Sequence, residues 1–142
     1  MAQVIVTGNG FAADAPGWRF LEPAALAAHR EERRLAVDLR ADAALAPLLP
    51  QLDSIAMIRI TLAAFGDGRA FSLGRQLRAA GYRGRLRARG ALLPDQFGPL
   101  RACGFDEAEI SAARAARQPA EQWLRAIDDW TGAAPFNSWR NT

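Results

Sequence analysis

Hydrophobic and polar residues alternate at the start of the chain. Residues 3–7 divide between two faces, with Val4 and Val6 together on one of them, which predicts a β-strand. Gly-Asn-Gly follows at residues 8–10, and these residues tolerate the positive φ angles of a hairpin turn. Residues 18–21, which include two aromatic side chains, are expected to form the return strand of this hairpin.

Strand-sized and helix-sized segments then follow one another to the end of the chain. Short apolar segments predict strands at residues 35–40, 55–62, 85–89 and 105–110. Longer segments predict helices at residues 22–34, 42–52, 70–80, 94–104 and 119–130. Pro47 and Pro50 interrupt the second half of the helix at 42–52.

This alternation predicts an α/β fold, because parallel neighbouring strands require long right-handed crossovers. We expect an N-terminal β-hairpin followed by a four-unit βα repeat, with a mostly parallel sheet in an open or partial-barrel arrangement. The 142 residues are too few for a closed eight-fold barrel.

Length and composition place these elements in one domain. Of the 142 residues, 50% are hydrophobic and 23% are charged, which is typical of a globular protein. We assign residues 1–131 to a single α/β domain and residues 132–142 to an aromatic C-terminal tail. Phe136 and Trp139 in this tail either fold back onto the domain or bind a partner, for which aromatic anchors are favoured.

The charge and cysteine content narrow the cellular setting. Cys103 is the only cysteine, the N-terminus has no signal-peptide pattern, and no apolar run approaches the ~20 residues that span a membrane. We therefore expect a cytoplasmic protein that does not associate with membranes. All 18 basic residues are arginine, but the net charge of +3 is small and no basic stripe accompanies aromatic residues, so nucleic-acid binding is not expected.

One face of the predicted sheet carries charge. The polar residues that alternate with apolar ones along the strands are Asp38, Arg40, Arg59, Thr61, Arg85, Arg87 and Arg89. Parallel strands covered by helices on both faces are usually continuous apolar runs, so helices are expected on one face only. The charged face is then exposed to solvent, encloses the inside of a partial barrel, or contacts another chain. Arg59 and Arg87 are expected either to pair with Asp38 or to hold an anion between them.

Several well-known catalytic and binding motifs do not occur in the sequence. One histidine and one cysteine cannot form a familiar metal cluster, and neither the phosphate-binding nor the dinucleotide-binding glycine motif is found. We therefore expect no metal and no cofactor, and we identify no catalytic residue, which leaves enzymatic activity open. Cys103 fits a buried core residue better than an activated thiol, but the sequence does not decide between them.

Polar residues follow the predicted strands at the edge where α/β proteins bind ligands. The candidate anion-binding residues at and near this edge are Asp67, Gly68, Arg69, Arg87, Gly90, Asp95 and Gln96. Asp67 and Gly68 also fit a simple turn, and Asp95 also fits a helix cap. In particular, we expect Arg69 and Arg87 to lie within reach of one shared anion.

Four separated motifs stand out from this background. They are Ala-Phe-Gly-Asp-Gly-Arg-Ala-Phe-Ser at 64–72, Gly-Arg-Leu-Arg-Ala at 84–88 with Gly90, Asp-Gln at 95–96 and Cys-Gly-Phe-Asp at 103–106. In order and spacing they resemble the bacterial family known as domain of unknown function 934, over about residues 35–110. The chain departs from the family pattern at Ala63, where proline is usual, and at Ala102, where arginine is frequent.

The resemblance implies a metabolic setting. Members of the family are commonly encoded beside sulfite reductase, which implies an accessory protein of assimilatory sulfate and sulfite reduction that binds sulfite reductase or another sulfur-assimilation enzyme. The family pattern also adds Ser72 to the candidate anion site and includes Cys103 and Asp106. The alternative is a small enzyme or ligand-binding protein with a pocket for sulfite or a phosphate-like anion at the strand ends. Self-association through the charged face or through Trp139 also stays open.

Overall fold

A computed structural model gives the structure of most of the chain. It describes residues 3–14, 18–29, 34–63 and 68–130. Three of the candidate functional residues lie outside these ranges, namely Asp67, Phe136 and Trp139.

A seven-stranded sheet forms the centre of the fold. In chain order its strands are β1 (Gln3–Thr7), β2 (Gly10–Ala13), β3 (Arg19–Leu21), β4 (Leu35–Arg40), β5 (Met57–Leu62), β6 (Arg85–Gly90) and β7 (Glu107–Ser111). They are arranged as β2-β1-β7-β6-β5-β4-β3; β3 to β7 are parallel, and β1 is antiparallel to both of its neighbours. The predicted α/β fold is confirmed, with an N-terminal hairpin and a mostly parallel sheet that is open or a partial barrel and not a closed one.

Helical segments connect the parallel strands and follow the last one. Two are 3₁₀ helices, at Pro23–His29 and Leu49–Ser54. The α-helices are α1 (Gly68–Ala79), α2 (Pro94–Ala102), α3 (Ala112–Arg117) and α4 (Ala120–Asp129). Within the described residues, none of these helices has the length and apolar character required to cross a bilayer.

Every crossover from β3 to β7 moves to the next strand in the same direction. Because such crossovers are right-handed, they place their connecting helices on one face of the sheet. That covered face holds the main hydrophobic core, where Trp123 is fully buried and meets the ring of Phe97 edge-on, with the ring centroids 5.8 Å apart. The opposite face, which we call the uncovered face, carries the charged residues that alternate with the core residues along the strands.

Two predicted elements were wrong. The return strand of the hairpin is β2, because Gly8 and Asn9 alone form the turn between the paired residues Thr7 and Gly10. Residues 19–21 instead pair in parallel with β4 at the other edge of the sheet. The helix predicted at 42–52 is reduced to the 3₁₀ helix Leu49–Ser54, since its two prolines lack the N–H that an α-helix requires.

The short link between β2 and β3 constrains the shape of the sheet. These strands lie at opposite edges, yet only residues 14–18 separate them. Six residue steps reach at most about 22 Å, whereas six strand spacings in a flat sheet cover about 29 Å. The sheet must therefore curve until its edges approach one another. Asp14 and Phe20, beside the two ends of this link, both contact side chains of the uncovered face, so that face is the concave one.

Burial on the uncovered face agrees with this curvature. Ala36 and Met57 alternate in phase with the charged residues, and both are 0% exposed although the crossover helices lie on the other side. The concave face thus excludes much of the solvent, and polar groups within it require partners.

Arg78 connects several segments at the amino-terminal edge of the parallel strands. Its guanidinium donates hydrogen bonds to the carbonyls of Gly104 (2.8 and 3.0 Å), Tyr82 (2.9 Å) and Gly84 (2.8 Å) and pairs with Asp106 at 3.0 Å. These contacts connect the end of α1 to the starts of β6 and β7. Arg78 therefore stabilises the edge of the sheet opposite to the carboxyl ends of the strands.

The Cys-Gly-Phe-Asp motif belongs to this structural region. Cys103 is buried in the core. Phe105 packs so closely against Gly74 that a Cβ atom added to Gly74 would lie 2.5 Å from the phenyl ring. Gly104 has φ +104°, and a Cβ on it would lie 2.5 Å from the Arg78 side chain. The carboxylate of Asp106 forms an ion pair with Arg78. The motif thus positions β7 and contributes to stability.

Gly104→Ala tests how closely Arg78 is packed. The control is Gly81→Ala, because Gly81 has a similar φ of +99° with nothing within 4 Å of the added methyl group. We expect Gly81→Ala to lower the free energy of unfolding by about 1–2 kcal/mol from backbone strain alone. Gly104→Ala should cost at least ~1 kcal/mol more, because Arg78 must leave its hydrogen bonds. Urea denaturation measures both; equal losses would show that Arg78 moves aside freely.

Candidate functional site

The uncovered face holds an ion-pair network that spans four strands. Strand register places Asp38, Arg59, Arg87 and Glu107 side by side across β4, β5, β6 and β7. Glu109 lies two residues further along β7, on the same face. The alternation of the strands therefore places two cations between flanking carboxylates.

Arg59 links the two sides of this network. Its Nε and Nη2 atoms donate to the carboxylate of Asp38 at 3.2 and 3.0 Å, and its Nη1 lies 3.2 Å from Glu109 Oε1. The ring of Phe20 covers the guanidinium, with its centroid 3.6 Å from Cζ. This edge-strand aromatic ring shields the pair from water on the concave side and adds a cation–π interaction.

Arg87 is the centre of the network, with a side chain that is only 1% exposed. It donates to Glu107 at 2.6 Å, to Glu109 at 2.8 Å and to both carboxylate oxygens of Asp14 at 3.0 and 3.2 Å. Burial by itself lowers the pKa of this guanidinium, but the three carboxylates outweigh burial and raise the pKa above its ordinary value. Arg87 is therefore a permanently charged group that holds three acids in place.

Beyond the network, a cleft opens at the carboxyl ends of β3, β4, β5 and β6. We call it the carboxyl-edge cleft; its volume is about 610 Å³. Its polar lining consists of Glu22, Asp38, Arg40, Asp42, Thr61 and Arg89. A cavity of about 250 Å³ shares three of these residues and is also lined by Arg69, while a third cavity of about 280 Å³ lies beyond Arg89 toward β7.

Arg89 differs from the other arginines of the uncovered face. Arg40, Arg59, Arg85 and Arg87 are each bound to at least one carboxylate. Arg89 is half-buried and lines both the carboxyl-edge cleft and the cavity beyond it. Among the residues that the structure describes, its guanidinium has neither a hydrogen-bond nor an ion-pair partner. A half-buried cation without a protein partner is a candidate ligand-binding group.

The charges of the cleft are arranged along its length. Asp38 is bound to Arg59 beneath the cleft, and Asp42 lies 3.4 Å from the exposed Arg40. Glu22, the remaining carboxylate of the lining, directly follows β3. Arg89 lies near the carboxyl end of β6, which is three strands away from β3 in the sheet. Three strand spacings correspond to about 14 Å in a flat sheet and to less in a curved one. The cleft therefore has a positive end at β6 and a negative end at β3.

The structure brings some of the sequence-predicted site residues near the cleft. Arg69 lines the smaller cavity that shares Thr61 and Arg40 with it, and Gly68 precedes Arg69 at the start of α1. Gly90 follows Arg89 directly, and a Cβ there would lie 2.7 Å from the Leu62 carbonyl oxygen. Only glycine fits this close approach of β6 to β5, particularly with its φ of +129°.

Other predicted site residues lie elsewhere. Arg87 is buried beneath the cleft among three carboxylates, so we do not include it in the anion site, and its expected pairing with Arg69 around one anion has no support in this geometry. Gln96 accepts a hydrogen bond from the Leu93 N–H at 2.8 Å and thereby caps α2. Asp95 lines a separate groove of about 380 Å³ beside α4, and Ser72 is exposed on α1.

Sequence reasoning missed Glu107, Glu109 and Arg89 as functional or structural partners. The signal for the two glutamates was available, because they alternate with Ala108 and Ile110 in β7 just as the arginines alternate with apolar residues in β6. Within the described part of the chain, no group of three or more histidine, cysteine or acidic residues is arranged to hold a metal ion. The arrangement is suited to binding an anion through a guanidinium and a threonine hydroxyl.

Arg87→Met tests the ion-pair network, with Arg40→Met as the control because the Arg40 side chain is 87% exposed. We expect Arg87→Met to lower the free energy of unfolding by about 3 kcal/mol, since the buried Glu107 and Glu109 then keep only one counter-charge each, from Arg85 and Arg59. Arg40→Met should cost less than about 1 kcal/mol. Chemical denaturation measures both variants, and similar small losses would show that the network is not a buried one.

Comparison with protein families agrees with the motifs. The family described as "Bacterial protein of unknown function (DUF934)" matches residues 36–133, and the chain belongs to this family. The match covers the chain from β4 to α4, including three of the four strands that line the carboxyl-edge cleft. Comparison with curated proteins gives no significant match.

Proposed function

We propose that this member of the DUF934 family is an oxyanion-binding protein whose ligand binds to Arg89 in the carboxyl-edge cleft. One observation carries the proposal: of the five arginines on the uncovered face, Arg89 alone has no carboxylate or hydrogen-bond partner among the described residues. It lines the cleft together with Arg40, whose side chain is exposed and bound to Asp42.

The energetics of burial favour a ligand at this position. Partial removal of a cation from water costs free energy, and this cost is normally offset by a bound carboxylate or by another acceptor. The guanidinium presents planar, parallel N–H groups that match two oxygens of a phosphate, sulfate or related oxyanion. The Thr61 hydroxyl lines the same cleft and donates a long hydrogen bond of 3.5 Å to Asp38 Oδ1; it can rotate to donate to an anion instead.

The surrounding network gives the site a rigid base. Asp38, at the floor of the cleft, is held by two hydrogen bonds from Arg59. Arg40 lies on β4, two strands from Arg89, and is paired with the exposed Asp42 at 3.4 Å. Because the Arg40 side chain is 87% exposed, it can turn toward an anion that is bound at Arg89.

The metabolic setting forms the second part of the proposal. We further propose an accessory role in the cytoplasm in assimilatory sulfate and sulfite reduction, in which the protein binds sulfite reductase or another sulfur-assimilation enzyme. Sulfite and sulfate are oxyanions of the kind that Arg89 is suited to bind. The proposed cleft and the proposed pathway are thus chemically compatible.

Arg89→Gln tests the site, with Arg75→Gln as a matched control because Arg75 is an exposed arginine on α1 outside the cleft lining. Isothermal titration of sulfite, sulfate and phosphate should show at least ~10-fold weaker binding for Arg89→Gln, because a charge-assisted hydrogen bond of about 1.5–3 kcal/mol is lost. The control should bind as the original chain does.

The stability of the same variants separates function from structure. Arg89→Gln removes no ion pair between described residues of the chain. Its free energy of unfolding should therefore stay within about 0.5 kcal/mol of that of the original chain, or rise. Oxyanion binding that is unchanged in Arg89→Gln would contradict the proposed site, and a large loss of stability would indicate a structural role for Arg89.

Affinity capture tests the metabolic setting. The tagged protein is isolated from its native host grown on sulfate, and bound proteins are identified by mass spectrometry against an untagged control. We expect enrichment of sulfite reductase or another enzyme of sulfur assimilation. Recovery of the tagged chain alone, or of enzymes unrelated to sulfur metabolism, would contradict the pathway assignment while leaving the oxyanion site to be judged by titration.

A further inference from the structure

The size of the carboxyl-edge cleft restricts the kind of oxyanion that fills it. Its volume of about 610 Å³ falls in the range of about 300–1,000 Å³ that is typical of sites for organic ligands. An inorganic oxyanion is only a few times larger than a water molecule, which takes about 30 Å³ in the liquid. Such an ion at Arg89 leaves most of the cleft unfilled.

The polarity of the cleft restricts the ligand further. Arg89 lies at the β6 end, whereas Glu22 lies at the β3 end with the Arg40–Asp42 pair between them. A carboxylate accepts hydrogen bonds from hydroxyl or amino groups and repels a second anion. A ligand that extends along the cleft therefore carries its negative charge at one end and hydrogen-bond donors at the other.

Carbon-rich residues line the β3 and β4 part of the cleft. They are Pro23, Ala24, Leu39 and Ala43. A carbon skeleton that packs against them removes apolar surface from water, which a small hydrated ion does not do. This lining favours a ligand with an organic body.

We propose that the ligand is a phosphate or sulfate monoester with an organic body that bears hydroxyl or amino groups. Its oxyanion binds Arg89 and Thr61, and its donors face Glu22 and Asp42. This inference rests on the proposed function, because it requires Arg89 to bind an oxyanion. It goes further by assigning the remainder of the cleft to the rest of the ligand.

A set of matched ligands tests the inference on the full chain by isothermal titration. The probes are glucose 6-phosphate, glucose 6-sulfate, inorganic phosphate, inorganic sulfate and glucose. We expect at least one ester to bind ~10-fold or more tightly than its inorganic anion, and we expect glucose alone to bind weakly. The stronger of the two esters identifies the preferred oxyanion.

Variants at the two ends of the cleft locate the ligand. Glu22→Gln should weaken ester binding about 5-fold and leave binding of the inorganic anion unchanged, whereas Arg89→Gln should weaken both. Glu121→Gln, an exposed carboxylate variant on α4, serves as the control and should change neither.

The possible failures are distinguishable. If inorganic anions bind as tightly as the esters and lose affinity in Arg89→Gln, the oxyanion site stands but the inference about an organic body is overturned. If ester binding is unaffected by Glu22→Gln, the orientation along the cleft is wrong. If none of the anions binds, or if all bind equally well to Arg89→Gln, the proposed function fails and the inference fails with it.

Discussion

The common direction of the crossovers from β3 to β7 decides which face of the sheet is covered by helices. Because β3 to β7 follow one another in the same direction, the connecting helices lie on one face and the other face has no helical layer. The short link across residues 14–18 then requires the sheet to curve toward that uncovered face. Charged side chains on a concave, partly dehydrated surface must find partners, and the ion-pair network of Arg59 and Arg87 is the result.

The arginines of this fold have different roles at the two edges and in the middle of the sheet. Arg78 binds carbonyls at the amino-terminal edge of the parallel strands, and carboxylates neutralise Arg59 and Arg87 in the middle of the uncovered face. Arg89 lines the cleft at the carboxyl edge. In barrels of parallel strands, the carboxyl edge is where ligands bind and the opposite edge contributes stability. The same division explains why the Cys-Gly-Phe-Asp motif, which adjoins Arg78, is structural.

Strand periodicity was sufficient to predict the fold class and the charged face, because alternation along each strand is a local property. It was not sufficient for β3, a three-residue strand whose partner is β4 at the far edge of the sheet. The role of Arg87 was also beyond local reasoning, since Asp14 is 73 positions away in the chain and Glu109 is 22. Arg87 and Arg89 have the same sequence pattern, and only the positions of distant carboxylates distinguish a buried structural cation from one that faces a cleft.

In the proposed role of this fold, carboxylates of the protein neutralise Arg59 and Arg87, and Arg89 is left to bind a ligand. Side-chain NMR of the arginine Nε–H groups distinguishes these two states, with signals assigned from single Arg→Lys variants. We expect the Nε–H groups of Arg59 and Arg87 to exchange slowly with water and not to respond to added oxyanion, whereas the Arg89 signal should shift and its exchange should slow as the anion is added. An Arg89 signal that is already protected and is unaffected by every oxyanion would rule out Arg89 as the anion-binding group.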